Sequence, residues 1–460
     1  MDDPVDATTL EAVDEAIEAR EDEMVAFLSD LVAARSVTGD EAPAQEVVIP
    51  AFEGLGLEPD VWVPDVEALR DHESFFETSS FVEVGYEGRP NVAAVLEGSG
   101  GGGNRDGEDD VDQDGNGGEG STGRTLTLSG HVDVVSVDAE AWSTDPWALV
   151  RDDDTLYGRG AADMKGGIAA YLTAVRALRA VGVDLAGDLI LQTTIEEEDG
   201  GVGGVLSALE RGYRPDAAVV PEPFEVPNVG VASGGVMYFR ITVPGRTAHA
   251  GSAFEGVDAL GKAVAVYEAL QGLDRERKAR IEYPRAARAD PRLEGHVTNI
   301  NVGVIEGGDW PSTVPGEVVL SCRVGWPPGE TREEVREEVR DAVRSVGADD
   351  EWLAEHPPEL EWFGWQAEPH EVSEGSEIAR LAMRAGEDVT GETGQFIGGS
   401  AGLDERFYAN DYGIDVVTVG PAGERLHGPD ECTTVSSLLD AAKTHARIAM
   451  GFCGVASGPE

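Results

Sequence analysis

Two histidines and a set of carboxylates are spaced along this chain as a pair of divalent ions would require. His131 and Asp133 stand in Ser129-Gly130-His131-Val132-Asp133, and Asp163 follows in Gly158-Arg159-Gly160-Ala161-Ala162-Asp163-Met164-Lys165-Gly166. Next come the run Glu196-Glu197-Glu198, Glu222 between two prolines, and His427 before Gly428-Pro429. Zinc takes imidazole nitrogen and carboxylate oxygen, and a catalytic site keeps one position open for water. One carboxylate shared by two ions holds them about 3.5–4 Å apart, close enough for both to act on one bond. Asp163, in its glycine-rich turn, is the natural bridge. Each ion then needs one histidine and one further carboxylate. Two carboxylates are left over. One of a neighbouring glutamate pair can bind metal while the other takes a proton from the attacking water. Asp133 can orient the ring of His131, as carboxylates beside metal-bound histidines do.

Taken singly, each residue has an ordinary explanation. A histidine after a strand is usually structural, and three glutamates in a row are usually a solvated charge run. The argument lies in position. His131, Glu197, Glu198 and Glu222 each fall at or just past an apolar run that the pattern assigns to a strand. The expected strands are Asn91 to Leu96, Thr125 to Val135, Leu189 to Ile195, Ala217 to Val220 and Ile414 to Val419. Apolar residues at helical spacing predict one amphipathic helix over Leu10 to Val37 and another over Ile168 to Val181. Helices alternating with apolar strands imply an α/β fold with a mostly parallel sheet flanked by helices, and such sheets gather ligands at the carboxyl ends of their strands.

The character changes after Val229. Val236 to Val243, Asn299 to Val304 and Glu317 to Val324 alternate like half-buried strands, and Thr331 to Val346 is a charged helix. The pattern predicts a catalytic domain of residues 1–229 and 365–460, with an α+β domain of residues 230–364 inserted into it. Residues 98–123 are almost all Gly, Asp, Glu, Asn and Ser, which predicts an acidic surface insertion without a packed face. Within it, Asp110 to Gly115 matches half of a calcium loop. Its twelfth position is Ser121 where a glutamate belongs, so an acidic linker is the better reading.

Composition narrows the partners. The chain of 460 residues has 89 acidic and 34 basic residues, a net charge of −55. Such a surface repels nucleic acid and anionic membranes, and calls for a high-salt cytoplasm that screens its self-repulsion. Cys322, Cys432 and Cys453 are too few for a disulfide framework and are expected to be buried. No secretory leader and no membrane span is expected, which makes a cytoplasmic location the expectation.

The ordered strings H-V-D, G-R-G-A-A-D-M-K-G-G, E-E-E-D-G-G, P-E-P, G-R-T-A-H-A-G and H-G-P-D-E resemble those of the co-catalytic zinc amidohydrolases and peptidases. That family includes acetylornithine deacetylase, succinyl-diaminopimelate desuccinylase, aminoacylase and glutamate carboxypeptidase. The resemblance implies that His131, Asp163 and Glu222 bind one ion, and Asp163, Glu198 and His427 the other. It implies that Glu197 is the general base and Asp133 the partner of His131. The inserted domain resembles the family's lid, which also forms a homodimer contact. His249 matches a lid histidine that reaches the neighbouring subunit's site. The metals implied are two zinc ions, with cobalt or manganese compatible with the same ligands. The activity implied is hydrolysis of the amide bond of an N-acyl amino acid or related small amide. A peptidase of the same family is the alternative. A non-catalytic relative is disfavoured, since no ligand or base is missing. Two positions depart from the pattern: Ser312 stands where the lid usually carries Asn, and Gly325 where it carries Arg. Arg323, two residues earlier, faces the same side of a strand. Gly398-Gly399-Ser400-Ala401-Gly402 and Arg406 resemble a region that holds a substrate carboxylate, which makes Ser400, Gly402, Arg406 and Arg323 candidate substrate contacts.

Overall fold

A computed structural model describes residues 5–99, 123–399 and 401–457. The calcium-like segment, most of the acidic insertion and Ser400 lie outside the described residues. The main sheet has eight strands in the order Asp60–Trp62, Asn91–Leu96, Leu189–Thr194, Leu126–His131, Ala217–Val220, Asp415–Thr418, Val229–Gly230, Phe396–Ile397. Its four central strands, from Leu189–Thr194 to Asp415–Thr418, run parallel. Their residues are buried almost throughout, because helices cover both faces, and such strands are apolar without alternation. His131 ends one strand, Glu196 to Glu198 follow the next, and Glu222 follows the third. The parallel register therefore brings them to one edge of the sheet.

The helix Lys165–Ala180 packs across these strands and begins just after Asp163. Its entry is close. A Cβ on Gly167 would lie 2.1 Å from the carbonyl oxygen of Pro221, so only glycine lets the helix approach the residue preceding Glu222. The peptide bond between Asp163 and Met164 is cis.

Two expectations need correction. The N-terminal helix is two helices, Ala7–Glu18 and Glu21–Ala33, broken at Ala19 and Arg20. Both pack on Lys165–Ala180, which one straight helix over this length would not do. The strand expected to reach Val135 stops at His131, so Asp133 lies beyond the pleat and not on it. Val134 instead makes an isolated bridge to Val37.

The second unit is a four-stranded antiparallel sheet in the order Asn299–Gly307, Glu317–Trp326, Gly235–Pro244, Glu359–Ala367. Its last strand pairs Ala367 with Val236, so the sheet continues three residues past 364. The helices Ala259–Arg280 and Arg332–Ser345 cover one face, with Phe239, Leu320, Val266 and Val339 in the shared core. Thr331 and Glu334 close a reciprocal cap at the start of the charged helix. The two crossings between units lie side by side as Ala232–Ser233 and His370–Glu371, tied by a 2.7 Å contact between Ser233 Oγ and His370 Nδ1. The three cysteines are buried and free. Among the described residues no helix is long and apolar enough to cross a membrane.

His445, on the helix Val435–Cys453, is buried with Nε2 2.7 Å from the carbonyl oxygen of Val419. Among the described residues its Nδ1 has no hydrogen-bond partner, so a second proton would be an unpaired buried charge. Burial pulls the imidazole pKa down to about 4, against the Val419 carbonyl. Above pH 6.5 this residue is neutral folded or unfolded and contributes nothing. As pH falls from 6.5 towards 4, the unfolded chain takes a proton that the native chain refuses, so native stability falls. His445→Gln should remove up to about 3 kcal/mol of this acid sensitivity, converting the shift at 1.36 kcal/mol per pKa unit. The check is denaturant unfolding of both proteins at pH 7 and pH 4.5. Equal acid-induced losses would contradict it.

Candidate metal centre

The end of the Leu126–His131 strand fixes His131, whose side chain is buried. Its Nδ1 lies 2.9 Å from the backbone carbonyl oxygen of Asp133 and 3.5 Å from the Asp133 carboxylate. The carbonyl is thus the nearer acceptor for the ring N–H, because the chain turns directly after His131. With the proton on Nδ1, Nε2 carries a lone pair. That lone pair faces carboxylate oxygens of Glu222 at 3.3 Å, Asp163 at 3.4 Å and Glu197 at 3.8 Å. Among the described residues no hydrogen bond satisfies this buried nitrogen. A lone pair facing anions needs a cation between them, either a proton or a metal ion.

His427 repeats the arrangement from the other side. Its Nε2 lies 2.9 Å from Glu198 and 3.2 Å from Asp163, in a loop where its own φ is +61°. Asp163 therefore touches both imidazoles, through Oδ1 to His131 and Oδ2 to His427. His131, Asp163 and Glu198 each offer a ligand atom within 4.8 Å of the others, and so do His131, Glu197 and Glu222.

The Asp133 carboxylate serves the acidic turn. It accepts the backbone N–H of Glu197 at 3.1 Å, that of Glu198 at 3.2 Å and the Thr38 hydroxyl at 2.9 Å. Burial opposes its charge, but His131 and Thr38 outweigh burial and hold its pKa below the ordinary value.

The field is strongly perturbed. Burial pushes the Glu197 carboxyl well above the usual range against the pull of His131, with Asp404, Glu222 and Glu198 adding repulsion. Burial and the charge of Asp163 push Glu222 up to about 8. Hydrogen bonds donated by the His427 ring to Asp163 and Glu198 raise its pKa to about 10. Burial alone would lower the pKa of His131, but Asp133, Asp163 and Glu222 raise it well above its usual value. Imidazoles that hold a proton this firmly sit where a cation is favoured, and a metal ion competes for the same place. The orphaned Nε2 of His131 and the mixed nitrogen and oxygen donor set both fit divalent metal.

Two residues that sequence reasoning passed over hold Asp163 in place. Glu431 accepts the backbone N–H groups of Ala162 and Asp163 at 3.0 and 3.1 Å, and it pairs with the buried Arg159. Both lie inside motifs already noted, G-R-G and H-G-P-D-E, which was the available signal.

The other candidates stand apart. His249 is exposed and receives the N–H of Gly251 on its Nδ1. Among the described residues, no hydrogen bond or ion pair joins it to the metal centre. The Ser312 carbonyl accepts the N–H of Ala250, which ties these two lid loops together. Arg323 donates to Asn299 Oδ1 at 2.7 Å, and its guanidinium lies over Gly325, where a Cβ would meet Nη1 at 2.8 Å. It thus fills the space in front of Gly325, and no ion pair among the described residues engages it. Gly402 lies against Trp365. Arg406 is buried and donates to the carbonyls of Leu403 and Gly200, so its guanidinium braces two turns.

Comparison with known proteins places the chain in a family. The model of Peptidase family M20/M25/M40 matches residues 127–451. The chain belongs to that family. An N-formyl-4-amino-5-aminomethyl-2-methylpyrimidine deformylase of Halalkalibacterium halodurans is 28% identical over 460 residues, covering 95% of this chain and 96% of its own. A succinyl-diaminopimelate desuccinylase of Methylobacterium radiotolerans is 31% identical over 237 residues, half of each chain. Among solved structures, human carnosine dipeptidase 1 superposes with a TM-score of 0.71 at 20% identity, over 96% of this chain and 98% of that one. It shares the fold of a peptidase-family M20 catalytic domain with an inserted lid.

Asp163 touches both imidazoles, while His427 touches only one side of the cluster. Asp163→Asn should therefore reduce bound zinc below one ion per chain, and His427→Ala should leave about one. Elemental analysis of dialysed proteins measures this. Two ions retained by the Asp163→Asn protein would contradict the bridging role.

Proposed function

We propose that this member of the M20 family is a dinuclear metal-dependent amidohydrolase that cleaves an N-acyl amino acid or related small amide. One observation carries the reading: two imidazoles and four carboxylates converge, with Asp163 within 3.4 Å of both rings. His131, Asp163 and Glu222 would hold one ion, and Asp163, Glu198 and His427 the other. Zinc suits this donor set, and cobalt or manganese can occupy it. Bound ions supply Lewis-acid activation of the water and of the scissile carbonyl.

The chain's own residues do the rest. Glu197 lies beside His131, and among the described residues its buried Oε1 has no hydrogen-bond partner. As a carboxylate it takes the proton of the attacking water and passes it to the leaving amine. Asp133 fixes the backbone from which Glu197 projects. The deformylase resembled along nearly the whole chain removes a small acyl group from an amine, which favours deacylation over peptide cleavage. Arg323, which no ion pair engages among the described residues, supports an anionic group on the substrate.

A homodimer completes the reading. On the helix Ala259–Arg280, Leu260, Val264 and Tyr267 are exposed opposite a buried face of Ala259, Ala263 and Val266. Val304 and Ile305 are exposed on the lid's edge strand, and Phe254 and Trp310 near His249. Such a patch with an unpaired strand edge suits a second copy of the chain. Pairing there would present His249 to the partner's site, where it would donate to the developing oxyanion.

Glu197→Gln should keep its metal and lose at least about a hundredfold in kcat, the scale of a general base. A normal kcat would end that assignment. Ile305→Asp should give a monomer by sedimentation in molar salt, with kcat reduced because His249 no longer reaches a second site. A monomeric wild type with full activity would contradict the dimer. The substrate class is tested by hydrolysis of N-formyl, N-acetyl and N-succinyl amines beside dipeptides. Turnover of dipeptides alone would favour the peptidase.

A further inference from the structure

The three consecutive glutamates go to three different places. Glu197 faces His131 and Glu198 faces His427, while Glu196 is fully buried behind them. Glu196 has φ +69°, a left-handed conformation that a residue with a Cβ adopts only when held. It is held. Its Oε1 accepts the hydroxyls of Thr78 at 2.6 Å and Ser80 at 3.0 Å. Its Oε2 accepts the Tyr86 hydroxyl and the N–H of Gly203, both at 2.8 Å. Arg89 Nη1 stands 3.6 Å away, its guanidinium buried between Glu196 and Glu41. Glu41 receives Arg89 Nε at 2.8 Å and Nη2 at 2.7 Å. Asp199, at the other end of the turn, accepts the Ser80 N–H at 2.6 Å.

We propose that Glu196, braced by Arg89 and Glu41, is a positioning residue that aims Glu197 and Glu198 into the metal centre. This rests on the metal-site reading above. The turn is gripped from two sides. Asp133 holds the N–H groups of Glu197 and Glu198 in front, and the segment from Thr78 to Arg89 holds Glu196 and Asp199 behind. Reversing the chain at a left-handed residue points the next two side chains away from the first, so the Glu196 pocket sets their direction. The grip is selective. Glu198 belongs to the His427 side, whereas His131, Asp163 and Glu222 hang from other elements. A fault in this pocket should therefore weaken one ion and the base, and spare the other ion. A general loss of structure would weaken both alike.

The test is zinc titration by calorimetry, elemental analysis and steady-state kinetics of the full chain in molar salt, comparing wild type with Glu196→Gln. The variant should keep one ion at wild-type affinity. The dissociation constant of the second should rise by about tenfold or more, the scale seen when residues supporting a metal ligand are changed. With zinc saturating, kcat should stay down by about tenfold with KM within about twofold, because the base remains misaimed. Tyr86→Phe removes one of the Glu196 contacts at little cost to packing. It should show the same split at about threefold, and it answers the question if Glu196→Gln does not fold. Two ions at wild-type affinity with unchanged kcat would overturn the proposal. So would equal weakening of both ions with a lowered melting temperature. A wild type that binds no zinc would instead remove the metal reading itself.

Discussion

Carboxylates that face one another out of water repel unless a cation stands among them. At the carboxyl ends of the central strands, Asp163, Glu197, Glu198 and Glu222 surround the Nε2 atoms of two histidines. Burial raises the cost of every charge there, and the pKa shifts record it. On the proposed reading, divalent ions would remove this repulsion, and the affinity of the site would be stored in the fold before metal arrives. The same repulsion explains the bracing around the site. Asp133, Glu431 with Arg159, and Glu196 with Arg89 each fix a segment that its own side chains would otherwise push apart.

The parallel sheet is what makes the convergence affordable. Asp163 and His427, 264 residues apart in the sequence, meet because each follows a strand or loop on the same edge. Gly167 closes the remaining gap by letting the helix after Asp163 rest on Pro221. Burial raises the pKa of Tyr238 on the lid sheet, which Arg323 opposes and Asp199, Glu198 and Glu197 reinforce.

Much of this was legible in the sequence, for physical reasons. His131 and Glu222 stood out because they end or follow buried apolar runs, and Asp163 because its glycine-rich string stands between them in one ordered set. The α/β order, the main sheet strands and the helix after Asp163 followed from apolar runs and helical spacing. The Glu-Glu-Glu run was only half legible. Three identical residues carry no sign of which one turns inward, and the partner that decides it, Arg89, lies over a hundred residues upstream. Asp133 was placed on a strand because alternation cannot show where a strand stops. The break at Ala19 and Arg20 was invisible, since neither residue is a helix breaker and packing alone imposes it. Arg406 shows the same limit: a buried arginine that braces carbonyls and an arginine that binds substrate look alike in sequence.

The central claim is that these side chains hold two ions that share Asp163. Anomalous diffraction from zinc-loaded crystals tests it most directly. The account predicts two peaks about 3.5–4 Å apart, one beside His131 and Glu222 and one beside His427 and Glu198, both in contact with Asp163. A single peak that does not touch Asp163, or no peak at this edge of the sheet, would contradict it.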